Sequence, residues 1–449
     1  MMNYIGKKEN MKADDLIYYI NKLSSENLRP ISTASESTLK TFGFENIKEI
    51  SNKYIKNLFL IEKSLTPTII YYDYPYCCSM IVMDKTVVGH SATIDETIES
   101  VKTITNKNIQ REKYSQWLLS LPHGICFEYL NRLFTETEII SKNMIDAFRD
   151  IYVTENYNFE LIDENVLMKI KNNLTDEYMK NIKNLPEKDG RVTVYRGIGD
   201  KSNPAGVSWT LNKMAAYNFA CFYNSNEAAV LTGKVKKEDI IIYFDEVEHE
   251  REVIVLPKDI EIINKEQQYN AEEISDYISG SIYYDILNNF YVPIVSNIYR
   301  SCNDDEYKND RTHIIRVLLH ATVLSYFLNI DLETFRDILT AVSFHNYNEI
   351  NDESLLGMMH RYLGQFNDDV KMAIEFLHRG DDIFSEALDN KSLSKAQRKR
   401  NELIYKVLYD SDTLDRVRFG IYALDINNLH IPESKQLILY ARTAVESIK

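Results

Sequence analysis

The chain is poor in residues that break or staple a fold. It has 14 glycines and 9 prolines among 449 residues, too few for long disordered linkers or a low-complexity segment. Its five cysteines, Cys77, Cys78, Cys126, Cys221 and Cys302, are odd in number and contain no Cys-x-x-Cys pair. That argues against a disulfide framework and a thiolate zinc site, and fits a reducing compartment. Positive charge is also short: the net charge is −15 at pH 7, which argues against a general nucleic-acid or anionic-membrane partner. The opening "MMNYIGKKENMKADDLIYYI" has no apolar core of the kind a secretory signal needs. The most apolar helical stretch, "HIIRVLLHATVLSYFL", is broken by Arg316 and His320 and is not expected to span a bilayer. The expected location is the cytoplasm, or the protein is exported without a signal peptide.

What is present is ordinary soluble-protein composition, 44% hydrophobic and 27% charged, in a length that predicts two or three domains. The expected class is α+β. Residues 1–105 mix helix and strand, with strand-like runs in "TPTIIYYDYPYCCSMIVMDKTVV" split at Pro75; the tyrosines of "YYDYPY" read as packing. Residues 106–268 begin as helices. One is interrupted at Pro122-His123-Gly124, and another starts at an N-cap on Thr175. The pattern then turns to strands: "RVTVYRG", "GVSWT", "AAVLTGKV", "DIIIYF" and "REVIVLP", with one helix, "NKMAAYNFACFY", among them. Residues 272–449 read as all helix, the last long one opening on a capping box of Ser394 and Gln397 and running on through "RFGIYAL".

The stretch "DEVEHEREVIVLP" sets carboxylates at 248, 250 and 252 before a β-branched run closed by Pro257. Alternation along a strand puts Glu250, Glu252, Ile254 and Leu256 on one face and Val253 and Val255 on the other. Glu252 therefore lies near apolar surroundings, where two like charges on one face push one carboxyl towards protonation. In "RVTVYRG", Val192, Val194 and Arg196 share a face, and an arginine there needs an anion. In "GVSWT", Ser208 and Thr210 share a face with Trp209 opposite.

The order Arg-Gly, then Ser-Trp-Thr before an aromatic-bearing helix, then Glu-x-Glu opening a strand resembles the mono-ADP-ribosyltransferases of the Arg–Ser–Glu class, over roughly residues 110–265. The resemblance implies an ADP-ribosyltransferase-type β core with NAD⁺ as a consumed substrate. It gives Arg196 the diphosphate, the Gly197 backbone the carboxamide and Phe219 a place near the nicotinamide, with Phe222 and Tyr223 as competitors. Ser208 would bond Glu252, and Thr210 would support the strand. Glu252 would bind the ribose and stabilise the oxocarbenium-like cation. Glu250 would accept a proton from the acceptor, and Glu at this position goes with arginine. Protein acceptors and a toxin, effector or phage-type modifier role follow from the same likeness. An NAD⁺ glycohydrolase and a catalytically silent recognition module are the alternatives.

The helical half, in "RTHIIRV", "SFHNY" and "LYDSDTLDRVR", resembles the HD phosphohydrolase superfamily over about 275–425. The likeness implies metal ligands at His313, His345 and Asp410 or Asp412, with His360 as an outer candidate. Asn346 stands where that family has aspartate, so metal is expected to be absent or weak. A metal-free variant, in which His313 or His345 acts as nucleophile on a phosphodiester, is the further alternative.

Overall fold

The computed structural model describes the chain apart from residues 1–27, 42–43, 45–46, 48–49, 52, 62–67, 82–92, 123, 155–158, 200–205, 223–224, 246–249, 301–305, 346–359, 362–366 and 449. It is a mixed structure with two antiparallel sheets and an all-helical C-terminal region. The first sheet has the order β1-β2-β3-β4, formed by Arg29–Pro30, Leu58–Ile61, Thr68–Asp73 and Tyr76–Ile81. The "YYDYPY" tyrosines pack, as read. Tyr74 meets Tyr129 at 5.1 Å and Trp117 at 6.1 Å between ring centroids, joining this sheet to the helices behind it.

The second sheet carries the chemistry. Its strands are β5 (Val192–Ile198), β6 (Ser208–Thr210), β7 (Ala229–Val235), β8 (Ile240–Phe244), β9 (Glu252–Val255) and β10 (Glu261–Gln267), in the order β10-β7-β5-β6-β9-β8. β5, β6 and β9 are therefore neighbours. Alternation sorts the β9 side chains between two cores: Ile254 and Leu256 pack with the helix Lys142–Thr154 (α1), whereas Val253 and Val255 pack with Val192, Val194 and Trp209. The strand begins at Glu252, not at Glu250. Arg251 is left-handed, with φ 48°, so Glu250 belongs to the preceding turn and strand alternation does not set its direction. β10 was not legible in the sequence, because "EIINKEQ" is a largely exposed edge strand with little apolar alternation.

The helix Lys213–Phe222 (α2) follows β6. Asn212 starts it: its Oδ1 accepts the Met214 N–H at 3.0 Å. In the C-terminal region, Glu306–Phe327 (α3), Leu332–Phe344 (α4), Lys395–Asp415 (α5) and Ile438–Ser447 (α6) form the bundle around the second site. Ser394 and Gln397 make the expected capping box. Thr175 sits at the expected N-cap, but its side chain makes no capping bond. α5 ends at Asp415 rather than running on. The chain continues as short 3₁₀ turns, Arg416–Phe419, Ile421–Ala423, Ile426–Asn428 and Pro432–Leu437, with Gly420 at φ 105° breaking the helical path. One hydrophobic core spans Ala216, Tyr217, Ala220 and Val230 of the sheet region and Ile274, Leu318, Leu408 and Tyr440 of the bundle. Among the described residues no helix is long and apolar enough to cross a membrane.

Candidate functional site

The β6–β9 register pairs Ser208 with Ile254 and Thr210 with Glu252. Ser208 is thus diagonal to Glu252, and its hydroxyl donates to Glu252 Oε1 at 3.2 Å. Arg196, on the neighbouring β5, donates from Nη1 to the Ser208 carbonyl at 2.6 Å. The guanidinium lies on the Gly206 backbone, where a Cβ would stand 2.2 Å from Nη2. Thr210 donates its hydroxyl to the Glu250 carbonyl and accepts the Asn212 N–H at 2.9 Å. It therefore ties the Glu250 turn to the start of α2. Gly197 packs so tightly under α2 that a Cβ would fall 2.1 Å from the Ala216 carbonyl. Phe219 is half-buried with its stem over Gly197. Phe222 is 60% exposed. Tyr223 and Glu248 lie outside the described residues.

The electrostatics follow from burial. Glu252 is 7% exposed. Burial, then the charge of Glu250, pushes its carboxyl up to about 8, against the opposing pull of Ser208 and Arg196. Burial also raises Glu250. Tyr152 of α1 is buried beside this group. Its hydroxyl lies close to Ser208 and feels Glu252, Arg196 and Glu250, and burial raises it well above the ordinary phenol range. Tyr152 and Gly206 were not legible as site residues in the sequence. Tyr152 sits in an ordinary amphipathic helix, and the only trace of Gly206 was a glycine two residues before Ser208.

In the bundle, the Nε2 atoms of His313 and His345 lie 2.9 Å apart. An Asp412 carboxylate oxygen is 3.3 Å from the first and 3.6 Å from the second. Each ring is held from behind: His313 Nδ1 bonds Asp415 at 2.7 Å, and His345 Nδ1 bonds the Val342 carbonyl at 2.6 Å. Burial holds the His345 ring down to about 4. Burial opposes protonation of His313 too, but Asp412 and Asp415 outweigh it and raise that ring. Asp412 is held down to about 2, because the neighbouring His313 outweighs its own burial. Asp415 also takes Arg316 Nε at 2.6 Å and Arg418 Nη1 at 2.9 Å.

Of the two aspartates read as ligands, Asp412 joins the histidines. Asp410 is committed elsewhere: it accepts from the His430 and Ile431 backbone, the Ser434 hydroxyl and His430 Nδ1. His360 packs on Phe344 at 5.2 Å and is outside the cluster. Asn346 lies outside the described residues. The donor set fits a metal ion: with both Nδ1 atoms bonded to acceptors, the two Nε2 lone pairs and Asp412 converge within 4.8 Å. Asp415 was missed, although it follows Asp412 at helical spacing. Comparison of the chain with family profiles, with characterised proteins and with solved structures gives no match.

Proposed function

We propose that this protein is an NAD⁺-dependent mono-ADP-ribosyltransferase acting on protein arginine. The observation that supports the reading most is the Arg196–Ser208–Glu252 chain of hydrogen bonds with Glu250 in the adjoining turn. Arg196 supplies a fixed cation for a diphosphate. Glu252, once ionised, supplies the negative charge that stabilises an oxocarbenium-like centre. The ribose C1′–N bond to nicotinamide breaks, and nicotinamide leaves with the electron pair. A guanidine nitrogen then bonds C1′ and gives up a proton. Glu250, half-buried and raised by that burial, is the base assigned to take it. Nicotinamide release from NAD⁺ by purified protein, followed by mass spectrometry for ADP-ribosyl-arginine, tests the reading. Release without protein modification would make the protein a glycohydrolase.

The convergence of His313, His345 and Asp412 supports a second proposal for the bundle, a weakly held divalent ion; hydrolysis at a phosphoester would follow from the likeness to the HD superfamily alone. A divalent ion bound there would act as a Lewis acid towards water or a phosphoryl oxygen. Asp415 and the Val342 carbonyl orient the two imidazoles, and Arg316 neutralises Asp415.

A further inference from the structure

A cavity of about 660 Å³ lies between the two halves of the molecule. One wall is Tyr195, Leu211, Asn212, Lys213, Met214, Asp245 and Arg251; the other is Asp425, Ile426 and Asn427 of the 3₁₀ strap that follows α5. Tyr195 pairs with Thr210, and Thr210 with Glu252, so Tyr195 lines the cavity from the sheet face that Glu252 shares, whereas Arg196 alternates to the other face of β5. Arg251, which sits between Glu250 and Glu252 in the chain, lines the cavity at the start of β9. The same strap carries Tyr422, whose phenol is close enough to Glu250 and Asn218 to feel both. Arg442 of α6 reaches Asn218 at 3.5 Å.

We infer that this cleft receives the acceptor, and that the strap of the helical half is its recognition wall for a guanidinium group. The inference rests on the transferase reading above. The charges in the cleft favour a cation. Lys213 is paired with Glu266, and Arg251 with Asp245 at 3.8 Å. The Asp425 carboxylate is exposed and has no cationic partner among the described residues, its one bond being from the Asn427 N–H at 2.9 Å. The strap is held in place rather than draped: His430 bonds Asp410 at 2.9 Å and Asp381 at 2.8 Å, and Tyr422 meets Asn218 of α2. An acceptor entering here would meet Glu250 without displacing the groups that hold the diphosphate.

The test uses full-length protein, NAD⁺ and agmatine, a small free guanidine. Transfer to agmatine and nicotinamide release in its absence are measured for wild type, D425N and D425K, with thermal melting as the control for folding. The expected result is a fall of about tenfold in the ratio of transfer to release for D425K, through a higher KM for agmatine, with D425N between it and wild type. An unchanged ratio overturns the inference, as does an equal rise in the KM for NAD⁺, which would make the cleft part of the NAD⁺ side. If wild-type protein releases no nicotinamide, the transferase reading itself fails.

Discussion

The Ser208 hydroxyl and the Glu252 carboxylate meet at 3.2 Å across adjacent strands, inside a region where Glu252 is 7% exposed. The bond holds one oxygen of a carboxyl that burial keeps protonated near neutral pH in the free protein. The group is therefore positioned before it is charged, and its charge is what the chemistry needs.

Nicotinamide release, measured as kcat/KM, is expected to rise with pH and level off above about 8, the value to which Glu252 is pushed. Glu252→Gln is expected to lose about 10²–10³ in rate and to flatten the profile. It is also expected to change stability. A carboxyl held higher in the folded than in the unfolded state releases its proton first from the unfolded chain as pH rises. Native stability therefore falls between the ordinary carboxyl range and about 8. Glu252→Gln removes that fall, which melting curves across the pH range will register. A wild-type profile flat from pH 5 to 9 would remove Glu252 from the NAD⁺ step.

Glu250→Gln is expected to reduce transfer to arginine more than NAD⁺ cleavage. It is also expected to move the rising limb of the cleavage profile to lower pH, because the Glu250 charge is one of the causes that raise Glu252. Equal losses in both activities would assign Glu250 to cleavage or to folding.

The two glycines of the site should behave differently. Gly197→Ala drives a methyl group into the backbone of α2, 2.1 Å from Ala216 O and 2.5 Å from Ala220 N. It is expected to cost at least about 1–3 kcal/mol in denaturant unfolding. At Gly206 the methyl group meets the Arg196 guanidinium, a side-chain end that can move. Gly206→Ala is expected to keep wild-type stability and raise the KM for NAD⁺. Comparable destabilisation by both would show that Gly206 is structural.

Wild-type protein is expected to hold a divalent transition metal weakly at His313, His345 and Asp412, and to lose it on dialysis. Affinity measured by calorimetry is expected to rise with pH, because His313, raised by its carboxylate neighbours, must release a proton to bind. Asp412→Ala should abolish binding, and Asn346→Asp should tighten it by about 10–100-fold or more. Binding that survives Asp412→Ala would place the ion elsewhere.

Much of the sheet was legible in the sequence because its signals are local. Period-two alternation and β-branched runs marked β5 to β9, and the alternation sorted Val253 from Ile254 correctly. Helical spacing marked α3, α4 and the start of α5. Where a residue's partner is distant along the chain, the sequence was silent. Tyr152 reaches Ser208 and Glu252 only because α1 packs behind β9, and Asp415 rather than Asp410 backs His313 only because α5 crosses α3 at that turn. The Arg251 backbone turned Glu250 out of the strand that alternation had assigned to it. Strand order, helix crossing and burial are long-range outcomes of packing. They set distances and the field around each carboxyl and imidazole, whereas the sequence by itself determined which chemical groups were available to be brought together.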